Sequence, residues 1–201
     1  MPTNTDLLRQ IKDDLLTNSK LPLYEYRTAN HYFPVIGEGS HEAKLLCVGE
    51  APGETEAKTG RPFCGRAGKI LDELFASINL DRSKVYVTNL IKDRPPTNRD
   101  PLPYEIEVYG PYLVKQIEII KPRIVATLGR FSMRFVMEYA GISEPQLSQT
   151  ISKLHGQVLE GQAPYGPLTV IVLYHPAAAI YNQALKPTLI ADFAKIKQYV
   201  V

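Results

Sequence analysis

Four short, nearly uninterrupted apolar runs constrain the fold of this chain more than any other feature. They are Leu45-Leu46-Cys47-Val48, Val85-Tyr86-Val87-Thr88, Ile124-Val125-Ala126-Thr127-Leu128 and Val170-Ile171-Val172-Leu173. A strand with one wet face alternates apolar and polar side chains, whereas a strand covered on both faces reads as a continuous run. Helical spacing fills the intervals. Leu8, Ile11 and Leu15 make one stripe; Ile70, Leu71, Leu74, Phe75 and Ile78 make another; Ile106, Leu113, Ile117 and Ile120 make a third. Phe131, Phe135 and Val136 follow Gly129, and Leu189, Phe193, Ile196 and Val200 close the chain. Buried strands alternating with helices predict an α/β fold with a parallel sheet between two helical layers. No repeat or linker divides the 201 residues, so a single domain over 1–201 is expected.

In such sheets ligands collect beyond the carboxyl ends of the strands, so the segments there are the ones to read. The first run leads into Gly49-Glu50-Ala51-Pro52-Gly53, and then through Glu56 to Phe63, Cys64, Gly65 and Gly68. These glycines permit close backbone approach to a ligand. Neither a P-loop ending nor a G-x-G-x-x-G is present, and the carboxylates and aromatic suit a flat polar ligand better than phosphate. The second run ends at Asn89, whose amide can donate and accept at once and so read the edge of a base. It is followed by Lys92, Arg94 and Arg99 in a Pro-rich stretch, cations able to meet phosphates. The fourth run is followed by His175-Pro176-Ala177-Ala178. A cap, a solvated loop and a structural histidine are the plainer readings of these three places taken one at a time.

Together these segments resemble family 4 of the uracil-DNA glycosylase superfamily. The resemblance rests on GEAPGETEAKTGRPFCGRAG from Gly49, VYVTNLIKDRPPTNRDP from Val85 and LYHPAAAI from Leu173, with weaker echoes over nearly the whole chain. It implies a three-layer α/β/α sandwich around a four-stranded parallel sheet. It also implies hydrolysis of the N-glycosidic bond of deoxyuridine in DNA after base flipping, in base-excision repair. Phe63 would stack on the flipped uracil, Asn89 would bond its O4 and N3–H, and Glu56 would crowd out a thymine methyl at C5. Glu50 and Ala51 would hold the O2 side, Glu50 would orient water or stabilise the sugar cation, and His175 would donate to the leaving base. Lys92, Arg94, Arg99, Ala177 and Ala178 would meet DNA. A weakly active or inactive DNA-binding relative, or a glycosylase for another deaminated base, are the competing expectations.

One departure stands out. The family binds a 4Fe-4S cluster through four cysteines, and this chain places Asn18, Leu21, Asp93 and Tyr109 at those positions. Its two cysteines, Cys47 and Cys64, lie elsewhere. No metal or cofactor is therefore expected, with Leu21, Tyr109, Tyr24 and Tyr26 filling the space and Asp93 free to pair with a cation. Tyr181 also stands where the family often has Arg. The charge balance, 23 basic against 21 acidic residues, means that DNA contact would rest on a few placed cations rather than bulk charge. No apolar run approaches the ~18 residues of a membrane span, and a signal peptide is not apparent. A cytoplasmic monomer is the expectation.

Overall fold

The structure is a computed structural model that describes residues 1–200, the side chain of Val200 excepted. Val201, and the Val200 position of the closing stripe, thus lie outside what is described. Six strands form one sheet: β1 (Glu38–Gly39), β2 (Leu45–Gly49), β3 (Tyr86–Asn89), β4 (Ile124–Leu128), β5 (Val158–Ala163) and β6 (Gly166–Leu173). Their order is β1-β3-β2-β4-β6-β5. The central four, β3-β2-β4-β6, are mutually parallel and coincide with the four apolar runs. The expected four-stranded sheet is extended by two antiparallel edges, β1 on β3 and β5 on β6. The β5–β6 hairpin turns through Pro164 and Tyr165, between the paired Ala163 and Gly166.

Helices cover both faces. They are α1 (Asn4–Thr17), α2 (Tyr24–Ala29), α3 (Glu54–Thr59), α4 (Arg66–Ser77), α5 (Pro103–Ile120), α6 (Arg130–Tyr139), α7 (Ile151–Leu154), α8 (Ala178–Tyr181), α9 (Lys186–Ala194) and α10 (Lys197–Val200). The closing stripe is split between α9 and α10, with Ile196 buried at the break. Strand period divides the core in two. Leu46, Val48, Tyr86, Val125, Val170 and Val172 face α1, α5 and α6, while Cys47, Val87, Ala126, Ile171 and Leu173 face α4 and α9. Burying each such large side chain contributes roughly 1.5–3 kcal/mol, so both layers anchor the sheet whose upper edge carries the site. Among the described residues no helix is long and apolar enough to cross a membrane.

Candidate active site

At the carboxyl edge β2 and β3 run side by side, with Gly49 opposite Asn89. The ladder continues past the strands, since Leu90 N–H donates to the Gly49 carbonyl and Ile91 N–H to that of Glu50. These bonds set the side chains of Glu50 and Asn89 beside one cleft of about 560 Å³. Ala51, Glu56, Phe63, Arg99, His175 and Ala177 also line it. Another groove, of about 590 Å³, runs along α1 past Phe33, with Asp13 and His41 in its lining but no side-chain amide beside them.

The cleft floor is built by close approach. A Cβ at Gly49 would stand 2.3 Å from Asn89 Oδ1 and 2.6 Å from the Phe63 ring, so only glycine fits. Phe63 has a left-handed backbone (φ 48), an uncommon conformation for an aromatic residue. Several bonds hold it there. Glu56 accepts from the N–H groups of Cys64 (3.0 Å) and Gly65 (2.7 Å), and Arg82 donates to the carbonyls of Pro62 (2.8 Å) and Phe63 (3.2 Å). Glu56 thus acts first as a brace for the aromatic loop, while still lining the cleft. The Phe63 ring lies against the His175 imidazole, centroids 5.7 Å apart and tilted by 31°.

Three polar groups define the chemistry. Asn89 is 2% exposed, and its Oδ1 is buried without a hydrogen-bond partner. Buried polar atoms are nearly always satisfied, so this acceptor is poised for a donor that enters the cleft. His175 Nδ1 accepts the Ala177 N–H at 3.1 Å, which places the ring proton on Nε2. Burial pushes its pKa down to about 4, so the ring is a neutral donor at pH 7. Glu50 is pushed up to about 7, chiefly by burial and further by Asp100, with Arg130 opposing. A carboxyl poised there exchanges protons readily at neutral pH.

The DNA-contact set needs one correction, at Lys92. Lys92 is fully buried, with Nζ committed to three internal acceptors, and cannot reach a phosphate. Arg94 is held by Tyr32 (2.7 Å) and Asn98 (2.8 Å) and does not line the cleft, nor does Ala178. Arg99 reaches the wall with its guanidinium bidentate on Glu105, at 2.6 and 2.8 Å. One rim residue, Arg66, escaped the sequence reading, and a second, Tyr181, enters it only as a departure from the family's Arg. Arg66, exposed at the start of α4, faces the cleft, and its only sequence signal is the absence of an acid at positions three or four away. Tyr181, 84% exposed, stands at the mouth.

The four positions that the resemblance gives to cluster cysteines carry the wrong donors for a 4Fe-4S cluster. Asp93 receives Arg27 NH1 on both oxygens at 3.0 Å and the Tyr109 hydroxyl at 2.6 Å, all of it buried. Arg27 also reaches the Leu16 carbonyl at 3.2 Å. Leu21 packs in the same core as Tyr109, and Asn18 donates to Tyr112 at 3.2 Å. A carboxylate saturated by a guanidinium and a phenol, an aliphatic side chain and an amide cannot replace four thiolates. The residues present do not fit a 4Fe-4S cluster.

Residues 36–198 match the family model described as "Uracil DNA glycosylase superfamily". The chain is 41% identical over 197 residues to the type-4 uracil-DNA glycosylase of Sulfurisphaera tokodaii, covering 98% of this chain and 86% of that protein. The type-4 enzyme of Archaeoglobus fulgidus is 43% identical over 85% of this chain and 83% of its own length. That of Thermotoga maritima is 34% identical, covering 100% of this chain and 98% of its own length.

Proposed function

This chain belongs to the uracil DNA glycosylase superfamily, and from that premise we propose that it hydrolyses the N-glycosidic bond of deoxyuridine in DNA, leaving an abasic site for base-excision repair. The observation that carries the reading is the unpartnered Oδ1 of Asn89 in the cleft. A flipped uracil supplies its N3–H to that oxygen and takes the amide N–H at O4. Cytosine offers neither, and a site built to hydrogen-bond a group rejects analogues lacking it strongly.

The base leaves the helix stack at a cost of a few kcal/mol and enters between Phe63 and the His175 segment. The C1′–N1 bond breaks with its electron pair passing to N1. The neutral His175 donates through Nε2–H to uracil O2, a contribution of the oxyanion-hole kind worth roughly 3–4 kcal/mol. Water adds to C1′, and its proton passes to the Glu50 carboxylate. The neighbour of Glu50 is Ala51, so that carboxylate is the group in this segment able to take the proton. Arg66, Arg99, Ala177 and Tyr181 are assigned to the DNA strand around the cleft, with the whole chain acting as one domain and as a monomer. In the same reading the protein works without an iron–sulfur cluster.

The test is an oligonucleotide carrying one deoxyuridine, scored for alkali-labile abasic sites. Wild type cleaves it; His175→Ala retains binding and loses about 10²–10³ in kcat. Binding with no abasic product in wild type would instead mark a DNA-binding relative. Glu50 adds a pH signature. Its ionised form takes the proton, so kcat rises with pH through about 7 and levels above it. Glu50→Gln flattens this limb, and a limb that persists in that variant removes Glu50 from the role.

A further inference from the structure

Lys92 lies sealed beneath the site, 0% exposed. Its Nζ stands 2.6 Å from the Asn89 carbonyl, 2.5 Å from Gln116 Oε1 and 2.8 Å from Thr88 Oγ1. None of the three has a proton to return. A carbonyl carries none. Gln116 turns its Nε2 to the Ile36 carbonyl (2.9 Å) and the Tyr86 hydroxyl (3.1 Å), which leaves its oxygen facing the lysine. The Thr88 hydroxyl donates to the Ile36 carbonyl at 2.6 Å. Three acceptors require three N–H bonds, and only the ammonium form has three.

That charge has no counter-ion. Among the described residues no carboxylate lies within ion-pair distance of Lys92, since Asp93 is taken by Arg27 and Glu105 by Arg99. Burial lowers the proton affinity of the amine, while the three acceptors hold the third proton in place. An unpaired buried charge is costly; a methionine would avoid that cost but would leave the three buried acceptors bare. Apolar packing gives no reason for a lysine, and satisfying the acceptors does not account for a net charge beside the site.

We propose that Lys92 is a fixed buried cation, set directly behind Asn89, that stabilises the uracil anion as it leaves. The inference rests on the uracil reading above. When C1′–N1 breaks, negative charge spreads over the ring toward the oxygens that Asn89 and His175 would hold. Nζ bonds the carbonyl of Asn89 itself, so the positive charge sits within one residue of the recognising amide. In a low-dielectric interior such a charge acts far more strongly than in water. Lys92 touches no substrate atom and acts from behind Asn89, as a positioning and electrostatic residue.

Leaving-group dependence separates this role from simple support of the backbone. Single-turnover rates are measured on matched oligonucleotides carrying deoxyuridine or 5-fluorodeoxyuridine, whose base leaves as the more stable anion. Lys92→Met is expected to slow uracil release about 50-fold and 5-fluorouracil release about 5-fold, with KM for DNA unchanged. Equal slowing of both bases, or of neither, overturns the proposal. Should Lys92→Met fail to fold, Gln116→Glu places a carboxylate against the ammonium and cancels its charge while keeping an acceptor oxygen. The same split between the two bases is expected there, and a uniform loss or no loss again overturns it. A wild-type protein that releases neither base would sink the uracil reading itself, a result separate from these.

Discussion

Asn89→Ala is expected to lose about 10⁴-fold in kcat/KM for uracil release, the range seen when a site built to hydrogen-bond its substrate loses that match. The same variant should melt no lower than wild type. In the free protein Asn89 Oδ1 is buried and has no partner, and an unsatisfied buried acceptor costs roughly 1–3 kcal/mol. Removing it relieves that cost, while the Lys92 bond is to the Asn89 backbone carbonyl, which alanine keeps. A group that is bad for the folded protein and good only when a ligand arrives marks a binding site. Single-turnover excision and a thermal melt on one preparation decide the matter. Activity within tenfold of wild type, or a melt lowered by several degrees, would show that Asn89 serves the fold rather than the base.

The neighbouring glycine supports this division of labour. Gly49 lets Asn89 and Phe63 approach each other more closely than any side chain would allow, and Phe63 accepts a left-handed backbone in the same loop. A left-handed aromatic residue and an orphaned acceptor coincide at this place, where loop and strand-end segments meet. Beneath it the sheet is covered by two clusters of buried apolar side chains, which can support this cost.

What could be read from the sequence follows from the range of the interactions involved. The central strands were legible because burial on both faces leaves a local signature, four unbroken runs. β1 has two residues, and β5 reads Val-Leu-Glu-Gly-Gln-Ala; each is a strand only because a neighbour pairs with it. Glu50, Asn89 and His175 were found because strand ends and family motifs coincide there. Lys92 was misplaced for a nonlocal reason. On a Pro-rich loop beside Asp93 and Arg94 it looks solvated, yet its acceptors come in part from Gln116, twenty-four residues onward on α5. Local charge says where a cation is affordable in water, and nothing about acceptors that folding will deliver.

The partner of Asp93 is more distant still, and its removal should be the largest stability effect in the protein. Asp93→Ala leaves the Arg27 guanidinium, 4% exposed, without its carboxylate and leaves the Tyr109 hydroxyl without an acceptor. Breaking one side of a buried pair costs about 3–5 kcal/mol, a large part of the 5–15 kcal/mol that typically holds a domain folded. For a chain of this size that lowers Tm by roughly 6–20 °C. Arg27 ties the end of α1 and α2 to the loop after β3, and Tyr109 ties that loop to α5, so the damage should centre on the loop that carries Arg94 and Arg99. The double variant Arg27→Met, Asp93→Leu discriminates between a needed charge and a needed filling. Replacing a whole buried pair by apolar groups is often neutral or stabilising, so the double variant should recover the share of the lost Tm that comes from the stranded guanidinium. The share from the Tyr109 hydroxyl is not recovered, because that group stays without its acceptor. Excision measured below both melting temperatures should change little, because none of the three residues lines the cleft. A melt for Asp93→Ala within about 3 °C of wild type would mean that the triad bears no structural load. A double variant as unstable as the single one would mean that the ion pair itself, and not the volume it fills, is what this fold uses between α2 and the loop after β3.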